Sequence, residues 1–377
     1  MPTQGTRDEL AKLTETELAQ AYVEYVRAAR ATDHVGRANR MVRQCWKIIQ
    51  ELMARGRARQ VLQQLADHPD EAVRRWAEGP LARLDTPAPG GPPRQPSKGR
   101  YWPQIEWQCN HPPPPALTRD EIAELLRRSV PEACDRVMDL ALPAIGLWPQ
   151  RRADIAPTAS RFGGAPLAPA DWQWPTFEEE PLLFIGQINC AELRGLPGAE
   201  LLPSSGLLGF FGDHDAVNGC FPFGDDCVFY WPDVDRLVPA KAAIEPLAVF
   251  PSCALAPRPI LDLPHPSSRT IAELGLSKDQ HRSYFGAWLE VRNHGVPRDC
   301  AAYAGFSKLL GWPALVQNDL ERFYSDDEAR LLLQVDHYCN GEEAHGWGPG
   351  GSLYYVLSNR DLSAGMFDRC ELEGQFT

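Results

Sequence analysis

The residue types best suited to chemistry lie between Arg330 and Leu357, in RLLLQVDHYCNGEEAHGWGPGGSLYYVL. The stretch holds two histidines, a cysteine and three carboxylates. As a metal site, His337 and Cys339 would share one face of a strand, because alternate residues point the same way. Glu342 or His345 would complete the set, but the paired spacing of zinc ligands is missing. As a nucleotide loop, Gly346, Gly348 and Gly351 fit G-x-G-x-x-G. That fingerprint must follow a strand and open a helix. Here the glycines precede SLYYVL, which favours a strand, and Pro349 removes a backbone donor the loop would need. The structural reading therefore prevails: Gln334 and Asp336 anchor neighbouring backbone, and His337 and His345 sit in a loop between strands. Neither metal nor cofactor is expected.

No G-x-S-x-G elbow or Walker loop occurs, so no catalytic residue is assigned. The remaining carboxylates cluster in polar loops: Asp213 and Asp215 around His214, then Asp225 and Asp226, then Asp326, Asp327 and Glu328. They read as solvated groups available to a partner.

The elements that would carry these loops follow from hydrophobic period. Thr14 and Glu17 have capping-box spacing, and Leu18, Tyr22, Tyr25, Val26 and Ala29 follow on one helical face. Helices are predicted over about 33–55, 57–66 and the stretch beyond His68-Pro69-Asp70. HPDEAVRRWAEGPLARL looks like one helix of a HEAT-type repeat, so 1–86 reads as a small stacked helical domain. Residues 87–115, with TPAPGGPPRQPSKGR and HPPPP, read as a Pro-rich linker. Thr118 and Glu121 repeat the capping-box spacing, and Pro131 ends that helix. Beyond Pro149, PLLFIGQINC, GLLGFFGD, DCVFYW, RLLLQVD and SLYYVLS read as strands. AYAGFSKLLGWPALVQND reads as a short helix followed by an extended run. LLFIGQIN leading to GLLGFFGD echoes LLLQVD leading to GSLYYVLS, which points to two related half-units. The expected fold is α+β: a helical domain, then a β-rich α+β domain over 116–377.

Charge is uneven along the chain. The net charge is −12, yet residues 1–88 hold 14 basic and 12 acidic groups, and 89–100 add three basic groups. Residues 101–377 hold 21 basic and 38 acidic groups. Such a surface repels nucleic acid and steers a basic protein toward itself. The start lacks a signal-peptide pattern, no run approaches the roughly 18 apolar residues of a span, and ten cysteines show no CxxC pair. A cytoplasmic protein with reduced thiols and no membrane contact is expected.

Residues from about 161 to 370 resemble the YwqG-like family of bacterial proteins. The carrying segments are FGGAPLAPADWQWP, LLFIGQINCAEL, GLLGFFGD, GFSKLLGWPALVQND, LLLQVD and LYYVLSNRDLSAGMFDRC, with the Trp347-Gly348 turn between the last two. The chain departs from the family where an acidic residue tends to follow Trp-Gly; here stands Pro349. RANRMVRQCWKIIQEL and HPDEAVRRWAEGPLARL resemble a second, small helical family. Chains of the YwqG-like type are often encoded beside secreted bacterial toxins. The resemblance therefore implies an immunity protein without turnover, whose partner is a cognate toxin, most simply a basic nuclease domain of a type VI secretion system. It supplies no catalytic residues. An enzyme using the carboxylates after Phe211 or the Asp336 loop, and a scaffold binding several proteins, are the alternatives.

Overall fold

A computed structural model describes residues 10–31, 35–85, 107–177, 180–212, 223–224, 228–241, 250–297, 306–317, 319–320, 329–339, 344–345, 347 and 351–375. The chain forms two compact units, Met1–Ser97 and Lys98–Thr377, divided within the Pro- and Gly-rich stretch.

The first unit is helical: α1 (Glu15–Arg30), α2 (Val35–Ala54), α3 (Ala58–Ala66) and α4 (Glu71–Asp85). Thr14 and Glu17 close the predicted capping box in both directions, satisfying donors that a helix start leaves unpaired. Leu18, Tyr22 and Val26 of α1 pack in one core with Ile48, Leu52, Leu62 and Val73.

The second unit joins helices to a large antiparallel sheet, so the chain is α+β. Helices α5 (Arg119–Ser129) and α6 (Cys134–Asp139) come first. The sheet strands are β1 (Leu142–Gln150), β2 (Arg161–Phe162), β3 (Leu183–Asn189), β4 (Leu207–Gly212), β5 (Phe223–Gly224) and β6 (Val228–Trp231). They continue as β7 (Cys253–Asp262), β8 (Lys308–Leu310), β9 (Ala329–Val335), β10 (Ser352–Ser358) and β11 (Glu371–Gln375). Helix α7 (Lys278–Arg292) lies between β7 and β8 in sequence. The spatial order is β5-β11-β10-β9-β8-β1-β7-β2-β3-β4-β6. The five predicted strand runs correspond to β3, β4, β6, β9 and β10. The short helix expected at the start of AYAGFSKLLGWPALVQND does not extend into the described part of that stretch. Lys308–Leu310 is strand, held between β1 and β9.

Apart from the terminal β5, that order is symmetric about the β1–β7 pair. The duplication heard in the sequence is written in the register as well. Arg161 stands opposite Gln187 on β3, and Lys308 stands opposite Gln334 on β9. The separation from Arg161 to Lys308 equals that from Gln187 to Gln334. Each glutamine strand carries an irregularity two residues earlier, at Ile185 in β3 and Leu332 in β9. The long first strands are exchanged: β1 of the first half pairs with β8 of the second, and β7 of the second pairs with β2 of the first.

The sheet also curls. β5 and β6 stand at opposite ends of the order but only four positions separate Gly224 from Val228, a reach of at most roughly 14 Å. Tyr355 on β10 donates its hydroxyl proton to the Phe211 carbonyl on β4, at 3.0 Å. Alternation along β4 then sorts its side chains. Leu208 and Phe210 join the central core, while Leu207 and Phe211 join an aromatic cluster with Trp172, Trp174 and Trp231.

Residues 107–115, read from sequence as the end of a spacer, bond to the second unit. Trp148 Nε1 donates to the carbonyls of Gln108 and His111, both at 2.8 Å. Arg258 Nη1 donates to the Pro114 carbonyl at 2.7 Å.

Candidate functional site

All seven loop carboxylates singled out above (Asp213, Asp215, Asp225, Asp226, Asp326, Asp327 and Glu328) lie outside the described residues, as do Glu342, Gly346, Gly348 and Pro349. Of the candidate metal set, only the His337 side chain is described. Among the described residues no three His, Cys, Asp or Glu side chains converge as a cation site.

The opening stretch is a strand, a small hairpin and a strand. Tyr338–Cys339 pairs with Ala344–His345, so His345 belongs to a paired segment, not to the open loop expected for it. The chain then enters β10, so a strand follows Gly351. Gln334 and Asp336 are anchors, as their placement predicted. Gln334 Oε1 accepts from the Ala314 amide at 2.9 Å. Asp336 is buried; its Oδ2 accepts from the Phe306 amide at 3.1 Å and its Oδ1 from the His337 amide at 2.7 Å. His337 Nδ1 lies 2.8 Å from Asp336 Oδ1 and Arg292 Nη2 lies 3.4 Å from Oδ2. Burial alone would raise the Asp336 carboxyl, but the His337 hydrogen bond and charge, with Arg292, bring it below its ordinary range. Burial likewise disfavours the His337 cation, yet Asp336 raises it above the usual imidazole value.

The densest chemistry lies next to this anchor, on residues the sequence reading passed over. Lys308, on β8, is almost fully buried and places Nζ 2.6 Å from Asp262 Oδ2 at the end of β7. The same oxygen accepts from the Trp312 amide at 2.7 Å. Two consecutive left-handed residues, Leu310 (φ 62°) and Gly311 (φ 73°), turn the chain so that this amide meets the carboxylate. A Cβ at Gly311 would stand 2.5 Å from Asp262 Oδ2 and 2.8 Å from the Ala144 Cβ. Burial pushes the Asp262 carboxyl up and the Lys308 ammonium down; their mutual contact offsets this for both charges, and the Trp312 amide adds to it for the carboxylate.

Helix α7 covers this pair. Tyr284 donates to the Pro264 carbonyl at 2.6 Å and Trp288 Nε1 to the Leu263 carbonyl at 3.3 Å. Arg292, in its last turn, lies 5.4 Å from the Trp288 ring and 5.6 Å from the Phe306 ring. A cavity of about 30 Å³ opens among Arg258, Arg292, Lys308, Asp262, Trp288 and Phe306. A metabolite pocket is typically about 300–1,000 Å³. Burial lowers the Arg258 guanidinium to about 10. His265, whose ring meets Trp288 edge-on at 4.7 Å, is pushed down to about 4, chiefly by burial and then by the Arg292 and Lys308 charges.

The sequence did carry a signal for these groups. FSKLLG and PILDLP each hold one charged residue inside an apolar run, which is costly unless a partner is buried with it. What sequence could not supply was that the two runs meet.

A second concavity, about 380 Å³, lies among Pro169, Asp171, Trp231, Pro232, Asp233 and Leu237. It is floored by the largely buried Trp231, and its wall carries Asp171 together with Asp233, which Arg236 of the same wall pairs at 3.0 Å.

A family model described as a domain of unknown function, DUF1963, matches residues 160–375. The chain belongs to that family. The DUF1963 match is the YwqG-like resemblance carried by the strand motifs. It begins after β1, although β1 sits at the centre of the sheet. The helical unit also lies outside it. No curated protein matches the chain. Among the described residues no helix is long and apolar enough to cross a membrane.

Proposed function

We propose that this chain is an immunity protein that binds and neutralises a cognate antibacterial toxin in the cytoplasm. The toxin is a basic nuclease domain delivered by type VI secretion, and inhibition is by occlusion, without turnover and without direct contact to nucleic acid. The observation that carries this reading is the acidic excess of residues 101–377, with 38 acidic against 21 basic groups. A nuclease needs a basic surface for its substrate, and an acidic inhibitor meets that surface and gains association rate by steering. The groove at Trp231 supports the same reading. An Arg or Lys of the partner would meet Asp171 there and compete with Arg236 for Asp233, placing a cation beside Trp231, an anchor of the kind that dominates interface energetics. The helical unit, with its HEAT-like last helix, would add a second face.

Affinity purification from the native host should return one stoichiometric basic partner. Charge reversal at Asp213, Asp215, Asp225, Asp226, Asp326, Asp327 and Glu328 should slow association and flatten its salt dependence. Asp171→Lys with Asp233→Lys should speed dissociation. Full protection and unchanged kinetics in all these variants would remove the acidic-surface mechanism.

A further inference from the structure

The cavity beneath α7 has a charge inventory that does not close. Its wall carries three cations, Arg258, Arg292 and Lys308, and one carboxylate, Asp262. Asp262 is committed to Lys308 and to the Trp312 amide. Arg292 reaches Asp336 through Nη2 at 3.4 Å, and Asp336 is shared with His337. Arg258 has no carboxylate partner among the described residues; it bonds the Pro114 carbonyl and lies 5.1 Å from the Trp148 ring. The Arg292 Nε is buried and has no hydrogen-bond partner among the described residues. A guanidinium presents its donors as a planar fork, and buried donors in folded proteins are almost always satisfied. Both guanidinia are half-buried, and a cation drawn out of water without a full set of partners is costly.

The shape of the space selects what would compensate it. About 30 Å³ offers roughly two water-sized positions, which matches the two oxygens of a carboxylate and falls short of the four of a phosphate. The Trp288 and Phe306 rings lie beside Arg292, whose planar fork is the geometry that bidentate carboxylate recognition uses.

We propose that this cavity is a binding site for a carboxylate group, received by Arg292 and Arg258 with Lys308 contributing to the local field. Asp262 holds Lys308 in place and does not contact the ligand. This proposal does not rest on the toxin reading, and its test uses no toxin, so either reading can fail without the other. A free small carboxylate and the carboxyl end of a peptide share this chemistry, and the test separates them.

The test uses the full chain at constant ionic strength, with acetate, N-acetyl-dialanine, acetamide, chloride and phosphate as probes, read by thermal shift and by line broadening of ¹³C-labelled acetate. Acetate should raise the melting temperature saturably, while acetamide, chloride and phosphate should not. If N-acetyl-dialanine also saturates and its amide does not, the carboxylate comes from a chain end; if acetate alone does, it comes from a small acid. Arg292→Gln should weaken acetate binding at least about tenfold, the scale of one charge-assisted bidentate contact. Arg292→Lys keeps the charge but not the fork and should also weaken it. Should Arg292→Gln fail to fold, Leu117→Phe, which fills the cavity wall without removing a charge, should abolish the acetate response. Stabilisation by chloride equal to that by acetate, no saturable response to either carboxylate, or an acetate response undiminished in a folded Arg292→Gln protein would overturn the proposal.

Discussion

The Lys308–Asp262 pair is held by geometry that a single substitution destroys. Lys308→Met would leave Asp262 buried with only the Trp312 amide, and breaking one partner of a buried pair costs about 3–5 kcal/mol. The double variant Lys308→Met with Asp262→Leu removes both charges and should regain most of that loss in denaturant titrations. His265 adds a pH dependence with a definite sign. Its folded pKa, about 4, lies below the ordinary value near 6.5. The unfolded chain therefore takes up the proton first, and stability falls as pH drops through about 6.5 toward about 4, by up to about 3 kcal/mol. His265→Asn should flatten the melting temperature across that window; an unchanged slope would assign the acid sensitivity elsewhere. The His337–Asp336 contact works differently. The raised His337 contributes fully below about 6.5 and fades as pH rises, while the lowered Asp336 contributes above about 3.8 and fades as pH falls. At this scale the sequence was legible where one strand decided the outcome, as at Gln334 and Asp336. It was not legible where two distant apolar runs each hid one charge.

The central strands explain why the middle of the fold escaped the sequence reading. β1 contains Pro143 and Pro149, and β7 contains Pro257 and Pro259; proline in an apolar run argues against a central strand. Register resolves the conflict. Leu147 of β1 donates its amide outward to Ser307 and Leu255 of β7 donates outward to Ser160. Strand alternation points every odd-numbered amide of both strands the same way. All four prolines are odd-numbered, and none is paired by the short outer neighbours, since β8 covers only Ala144–Gly146 of β1 and β2 only Cys253–Ala254 of β7. No ladder donor is therefore lost. Pro257→Ala should change stability by less than about 1 kcal/mol. Ala256→Pro, whose amide faces Trp148 across the β1–β7 ladder, should cost about 3 kcal/mol or more. Equal effects of the two in chemical denaturation would mean that the amides do not alternate in this way. The helix caps at Thr14 and Thr118 were fully legible, because a capping box is local chemistry.

The large sheet of the second unit is built from two similar sets of strands that share the central core. The likeness was audible in two short motifs, but the exchange of first strands was not, because nothing local in β1 says that it leaves its own half. The consequence concerns folding. β1 and β7 pair along their length, from Leu142 with Asp262 to Gln150 with Ala254. Each also lies against the short strand of the other half. The central core mixes Ile145, Leu183 and Phe210 of the first half with Leu309, Leu333 and Tyr355 of the second. A half expressed alone would keep its glutamine strand yet expose the longest strand edge in the molecule and half of a shared core. Exposed apolar edges of that kind template aggregation. Residues 98–241 and 250–377, produced separately, should therefore be insoluble or molten. Produced together, they should assemble into one soluble species with the sheet intact, because the exchanged strands supply the missing neighbours. Circular dichroism and gel filtration of the co-expressed pieces distinguish the outcomes. Two soluble, independently folded halves would mean that each closes its own sheet, and that the exchanged register does not hold the unit together.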